Sequence, residues 1–322
     1  MKIPFTPAIY EHAARFAGRS PWDVSRNADL LFAAHRGAYL EYRHQVIAVG
    51  IDIYNLEAEA YGALIEPPVG DNIPAIQSPP LESLETGLAL PPFDPQRDGR
   101  IAMVISVGRR LKKEFPDADV RIPVAGPFSL AFNLRGIGDL CEDSALRPDE
   151  TARLLLRLAE NQAPFCRAVA AAGLDVAFFE SAASPPMLSP GQFRELELPA
   201  LRRILEIAAN CVGHPVPCIM GGNTYPILAD ILSTGTSFVV CNVETNQPAF
   251  VQDIGRTHPQ VKVRVNMDPG IVVCTDRQRI HREVDRVLHI AGGRPNCVMG
   301  TGALPFETPP GNVHLIEDYL AT

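Results

Sequence analysis

Short apolar runs, each ending in a small or polar residue, recur along the chain; the clearest are residues 175–180, 216–222, 237–244, 261–268 and 297–302. Most are followed by a stretch of helical period. Strands alternating with helices predict βαβ units. Eight such runs predict a (β/α)8 TIM barrel, in which the chemistry sits where the strands end. The expected strands are 45–54, one within the Pro- and Gly-rich residues 66–98, then 121–126, 176–180, 216–222, 238–244, 261–266 and 297–301. Residues 1–47 read as a helical N-terminal segment packed on the barrel. Within it, Ser20-Pro21-Trp22-Asp23 is a helix start, with Ser as cap and Pro at the first helical position. Ser189-Pro190 repeats the device. Longer helices are expected over 101–114, 149–172 and 277–291.

Strand side chains alternate, so parity predicts direction. In the seventh run Val261, Val263 and Val265 share one face, while Lys262, Arg264, Asn266 and Asp268 share the other. Helices cover a barrel's outside, so the valines face out and Arg264, Asn266 and Asp268 face in. An inward arginine requires a partner, because an unpaired buried charge costs several kcal/mol. By the same parity Val240, Asn242 and Glu244 point inward, and Glu180 groups with Val176 and Phe178. Glu180 and Glu244 are the candidate proton donors, since a desolvated carboxyl at an apolar strand end holds its proton more tightly. The structural alternative for Glu180 is an acid that holds Arg264. Asn223 and Asn266 are candidates to orient a substrate through amide hydrogen bonds. Asn55, Glu57, Arg264, Asp268 and Thr301 are candidate binding residues, with Phe128, Phe178 and Met220 as apolar walls.

At 322 residues the chain is longer than the roughly 250 of a minimal barrel. No Gly/Ser linker or charge block divides it, so a single barrel over 1–322 is expected. The net charge of −8, without a basic stripe, excludes a nucleic-acid partner. Seven scattered cysteines without a C-x-x-C pair suit reduced thiols in a cytoplasmic protein. There is no 18-residue apolar run, and Met1-Lys2-Ile3-Pro4-Phe5 opens no apolar leader, so no membrane association is expected.

Several segments, in order, resemble the uroporphyrinogen decarboxylase superfamily. They are Gly50-Ile51-Asp52-Ile53 with Glu57-Ala58-Glu59-Ala60-Tyr61-Gly62, Ala125-Gly126-Pro127-Phe128-Ser129-Leu130-Ala131, and Glu180 with Ser189-Pro190-Gly191-Gln192-Phe193. Further on come Gly221-Gly222-Asn223-Thr224, Asn266-Met267-Asp268-Pro269, Thr301-Gly302-Ala303-Leu304-Pro305 and Thr308-Pro309-Pro310-Gly311-Asn312. The resemblance implies a distorted eight-stranded barrel and one of two chemistries. One is cofactor-free decarboxylation of uroporphyrinogen. The other is methyl transfer to or from a corrinoid on a separate protein, often with zinc activating a thiol.

The arginine-rich N-terminal motif of the decarboxylases is replaced by Ile3-Pro4-Phe5-Thr6-Pro7, and Arg15, Arg19 and Arg26 are scattered. The zinc pattern His-x-Cys-Gly-Asn is not retained. Aligned at Gly222-Asn223, its ligand places fall on Ile219 and Gly221, with the third near Gly302. Glu180, His214, Cys218 and Cys297 are the local candidates that remain, and zinc is the lesser expectation. The resemblance therefore implies a methyltransferase acting between a small methylated substrate, for example an aryl methyl ether, and a corrinoid (cobalamin) on a partner protein. A decarboxylase is the alternative. The corrinoid pattern D-x-H-x-x-G is absent, so a partner corrinoid protein is expected, and a homodimer at family level.

Overall fold

The computed structural model describes residues 3–321; Met1 and Lys2, at the stretch read for a leader, and Thr322 lie outside them. Eight barrel strands follow one another: β1 (Phe5–Ala8), β2 (Val46–Ala48), β3 (Asp119–Ala125), β4 (Asp175–Phe179), β5 (Cys218–Ile219), β6 (Phe238–Cys241), β7 (Lys262–Asn266) and β8 (Cys297–Ala303). Their ladders are parallel and form two four-stranded sheets, in the orders β1-β8-β7-β6 and β2-β3-β4-β5. At one junction Thr236 stitches the sheets: Cys218 N donates to its Oγ1 at 2.9 Å, beside Ser237 N to Val216 O at 3.2 Å. At the other, β1 and β2 are the outer strands of their sheets, and Ala48 packs on the cluster that contains Ala8.

The first strand is therefore Phe5–Ala8, inside the segment expected to be helical, and the run at 45–54 supplies the second through Val46–Ala48. Pro7 has no N–H to give, and an outer strand tolerates that loss. Beyond β1 the expected helices stand at Glu11–Ala17, Pro21–Ser25 and Ala28–Tyr42, and the Ser20 side chain caps Asp23 N as anticipated. No barrel strand arises within 66–98. Leu64–Ile65 and Ile76–Ser78 instead pair antiparallel, as a hairpin above the barrel mouth. The expected helix over 149–172 is two, Pro148–Asn161 and Ala163–Ala171. Pro164 lacks the N–H that would continue the first of them.

Parity holds along β7. Val263 and Val265 are buried in the main core, while Arg264 and Asn266 line the bore. In β4 the phenylalanines divide: Phe179 joins Ala8, Tyr10 and Ala177 inside, whereas Phe178 packs outward under the helices. Glu180 follows Phe178 in parity and also points outward. Gly126 makes room for it, because a Cβ there would stand 2.2 Å from Glu180 Oε2. Among the described residues no helix is long and apolar enough to cross a membrane.

Candidate active site

A cavity of about 810 Å³ opens at the carboxyl ends of the strands. Its walls come from the segments after β1, β2, β4 and β5, from the ends of β6 to β8, and from a roof at Ile73–Gln77 and Phe132–Ile137. That size suits a small molecule. Asn55 Nδ2 holds the roof by donating to Pro74 O at 2.6 Å, and Asn133 Nδ2 donates to Tyr54 O at 2.6 Å.

One chain of side-chain hydrogen bonds crosses the floor. Arg264 Nε donates to Asn266 Oδ1 (3.1 Å), and Asn266 Nδ2 donates to Asn242 Oδ1 (2.9 Å). Asn242 Nδ2 in turn donates to the carbonyls of Met220 (2.9 Å) and Gly222 (3.2 Å). Both amides are thereby fixed in orientation, with oxygen toward the arginine side. Arg264 is 7% exposed, and among the described residues it has no carboxylate partner. Tyr10 borders the same space as its guanidinium, and Phe238 lies under it at 5.9 Å.

Two acids reach the cavity, Asp52 and Glu11. Asp52 is neutralised by Arg100, at 2.7 Å, which also binds Glu59 at 2.6 Å. Glu11 stands at the carboxyl end of β1. Burial, with Glu307 nearby, pushes its carboxyl up to about 7. Tyr10 and Tyr54 both meet Phe179 edge-on, at 5.6 and 6.2 Å, and Tyr54 bonds Ser181. Burial raises both phenols, so they remain protonated donors at neutral pH.

Of the residues expected at the site, Asn55, Met220, Arg264 and Asn266 line this cavity. The others stand elsewhere. Glu244 is exposed, because β6 ends at Cys241 and the chain turns there, with Thr245 N donating to Asn242 O. Asn223 spends its side chain on Tyr225 N, and Asp268 caps the turn at Pro269 through Gly270 N. Thr301 ties β8 to β1 by accepting from Ala8 N. Phe128 and Phe178 are fully buried in the outer core. Glu57 accepts from Ala125 N at 2.7 Å, beneath the cavity, and burial pushes it up to about 7. Gln162 Nε2 donates to Glu57 Oε1 at 3.5 Å, and the other Glu57 oxygen is without a partner among the described residues.

Glu180 is fully buried and caps the helix Pro127–Arg135 from another segment. Oε2 accepts from Phe128 N (3.0 Å), and Oε1 accepts from Ser129 Oγ (2.6 Å) and Ala183 N (3.3 Å); Ser129 N is 3.1 Å from both oxygens. These are the orphan donors of a helix start, where negative charge is favoured. It neither lines the cavity nor holds Arg264. Glu197, equally buried, lies against Glu180. Burial first, and the Glu180 charge second, hold the Glu197 carboxyl well above the usual range. Glu180, rich in donors, is the ionised member of the pair, and protonated Glu197 donates to it.

The folded protein thus keeps a Glu197 proton that the unfolded chain releases near pH 4.5. Stability from this group is complete below that value and is lost as pH rises through the folded one. Glu197→Gln is expected to flatten the fall in unfolding free energy as pH rises above 4.5, measured by urea melts against the wild type. Parallel curves for the two proteins would refute the proton assignment.

Zinc does not fit these residues. The positions of the thiol-methylating pattern are Ile219, Gly221 and Gly302, which line the cavity but carry no donor side chains. Cys218 and Cys297 are buried thiols pushed up by desolvation, and exposed His214 sits at the opposite end of the barrel, against Asp175. Among the described residues no three His, Cys, Asp or Glu side chains cluster as metal ligands.

Sequence reasoning missed Tyr10, Glu11, Tyr54 and Asn133 as site residues, and placed Asn242 inward without giving it a role. The first two follow from β1: a short apolar run with Pro7 is a strand signal only once an outer position is allowed.

Comparison with known proteins agrees with this architecture. The structure superposes on a methyltransferase from Methanosarcina mazei with a TM-score of 0.85 and 21% identity, covering 99% of this chain and 94% of that one. A protein from Listeria monocytogenes, provisionally assigned as a vitamin-B12-independent methionine synthase, matches with a TM-score of 0.50 and 10% identity, over 100% and 98% of the two chains. At these identities the likeness is one of fold. No curated protein matches the chain. The family model described as uroporphyrinogen decarboxylase (URO-D) matches residues 2–320. A barrel whose strand ends enclose one cavity, and a family match over nearly its whole length, lead to one assignment: the chain belongs to the uroporphyrinogen decarboxylase family.

Proposed function

We propose that this protein is a methyltransferase that takes the methyl group of a small methylated donor, such as an aryl methyl ether, and passes it to a corrinoid carried by a partner protein. The observation that carries this reading is the cavity: small, walled by aromatic and aliphatic side chains, with Arg264 as its one cation among the described residues. Uroporphyrinogen carries eight carboxylates, and a single guanidinium weighs against it as the substrate. The fold likeness to a methyltransferase supports the same reading.

When bound on its partner, a reduced corrinoid supplies the nucleophile that accepts the methyl group. The residues of this chain do the rest. Phe179, Ile219 and Met220 exclude water around the donor, and the Asn242–Asn266 pair fixes the polar floor beneath it. As the C–O bond breaks, its electron pair goes to oxygen, and the Glu11 carboxyl supplies the proton that makes the leaving group a neutral alcohol. A carboxyl near 7 is matched to that task at neutral pH.

The test is methyl transfer from a panel of aryl methyl ethers to free cob(I)alamin, followed by its visible spectrum, beside an assay of carbon dioxide release from uroporphyrinogen. Transfer from at least one donor without carbon dioxide release is the expected result. Carbon dioxide release with no methyl transfer would replace this reading by the decarboxylase one.

A further inference from the structure

We infer that the cavity takes a monocarboxylate, with the carboxylate seated deep in the barrel on Arg264 and the rest of the molecule directed at the mouth. The inference takes the cavity as the substrate site, as the methyl-transfer reading does, and names the class of molecule that enters it.

Four observations converge. First, Arg264 is buried without an acid partner among the described residues, although the barrel has carboxylates that pair with other arginines, such as Asp52 with Arg100. A buried cation left in that state costs several kcal/mol, which a bound anion offsets. Second, its place is built. Gly300 on β8 stands opposite Asn266 on β7, and a Cβ there would lie 2.5 Å from Arg264 Cδ and 2.6 Å from Asn266 Oδ1. A strand glycine of this kind marks a close approach. It lets the arginine stem lie in the bore.

Third, the donors are sorted. Arg264 Nε is occupied by Asn266, so the terminal amino groups are the ones that meet an anion, with the protonated Tyr10 hydroxyl beside them. One guanidinium and one phenol suit a carboxylate of single charge; a phosphate dianion would need further cations. Fourth, the depth is defined. Arg264 also borders a smaller space of about 100 Å³ nearer the barrel's amino end, together with Ala8, Ala48 and Ala177. It is therefore the floor of the large cavity, and an apolar body attached to the carboxylate extends past Phe179 and Met220 toward the mouth.

Isothermal titration of the full chain with benzoate and with benzamide, a pair alike in shape and different in charge, tests the assignment. Benzoate is expected to bind about tenfold or more tighter than benzamide, since a charge-assisted hydrogen bond contributes about 1.5–3 kcal/mol. Arg264→Met is expected to remove that preference by weakening benzoate far more than benzamide. Gly300→Ala keeps the cation but displaces its stem, and is expected to weaken benzoate selectively as well; it serves if the first variant fails to fold. Equal binding of the two probes, no binding of either, or a benzoate preference that survives in the folded Arg264 variant would overturn the assignment. Benzoate binding in a protein that transfers no methyl group leaves the anchor standing and removes the methyl-transfer reading. Methyl transfer from neutral ethers at full rate in Arg264→Met, with no benzoate preference in the wild type, does the reverse.

Discussion

Glu11→Gln is expected to lower methyl transfer about 100-fold and to abolish its pH dependence near neutrality. General acid catalysis is worth ~10²–10⁴-fold, and glutamine keeps the size of the side chain while removing its proton. Burial and Glu307 push the Glu11 carboxyl up to about 7. The acid form is the active one, so the wild-type rate is level below that value and falls as pH rises through it. Tyr10, pushed up by burial, stays protonated over this range and adds no second step. His12, the next residue, is held down to about 4 by burial and has already lost its proton there. Steady-state rates over about pH 5.5–8.5, with a donor whose leaving group is a phenol, check this. A variant that retains the wild-type rate and the same fall would remove Glu11 from the chemistry. A donor with a highly acidic phenol needs less help from a proton, and with it the variant is expected to recover.

Glu180→Ala is expected to produce the largest loss of stability of any change near the barrel mouth, about 3–5 kcal/mol. The side chain satisfies Phe128 N, Ser129 N, Ser129 Oγ and Ala183 N inside a fully buried site. Removing it strands buried donors, each costing ~1–3 kcal/mol, and leaves a cavity beside Gly126. The melting temperature is expected to drop by on the order of 5–10 °C. Substrate affinity in the protein that remains folded is expected to be unchanged, because Glu180 does not line the cavity. That combination separates a structural acid from a chemical one. A normal melting temperature with lost turnover would return Glu180 to the mechanism.

The barrel was legible because β4, β6, β7 and β8 alternate or run apolar at recognisable length, and their parity correctly sent Arg264, Asn266 and Asn242 inward. The positions past the strand ends were not legible. Parity was carried through Asp268 and Glu244, but the backbone leaves extended geometry at Asn266 and Cys241, and alternation stops with it. For Glu180 the parity with Phe178 was right and its meaning was reversed: the face shared with Phe178 is the helix-covered one. Asn55 lines the cavity, but its main hydrogen bond, to Pro74 O, depends on the roof hairpin, which no periodicity announces. Glu11 was lost together with β1, since a four-residue strand containing proline competes poorly with the helical pattern that follows it.

Strand β1, which ends three residues before Glu11, is hydrogen-bonded among the described residues only to β8, and Ala8 N meets Thr301 Oγ1 across 293 positions of the chain. Pairings this remote form late, because closing so long a loop is entropically costly. On the ribosome, β2 to β5 are available as a sheet well before β8 emerges. The β1 segment, and with it the turn that holds Tyr10 and Glu11, gains its partner strand only when β8 is translated. A chain that stopped short of β8 would leave the β1 segment, and the side chains that follow it into the cavity, without the strand that seats them.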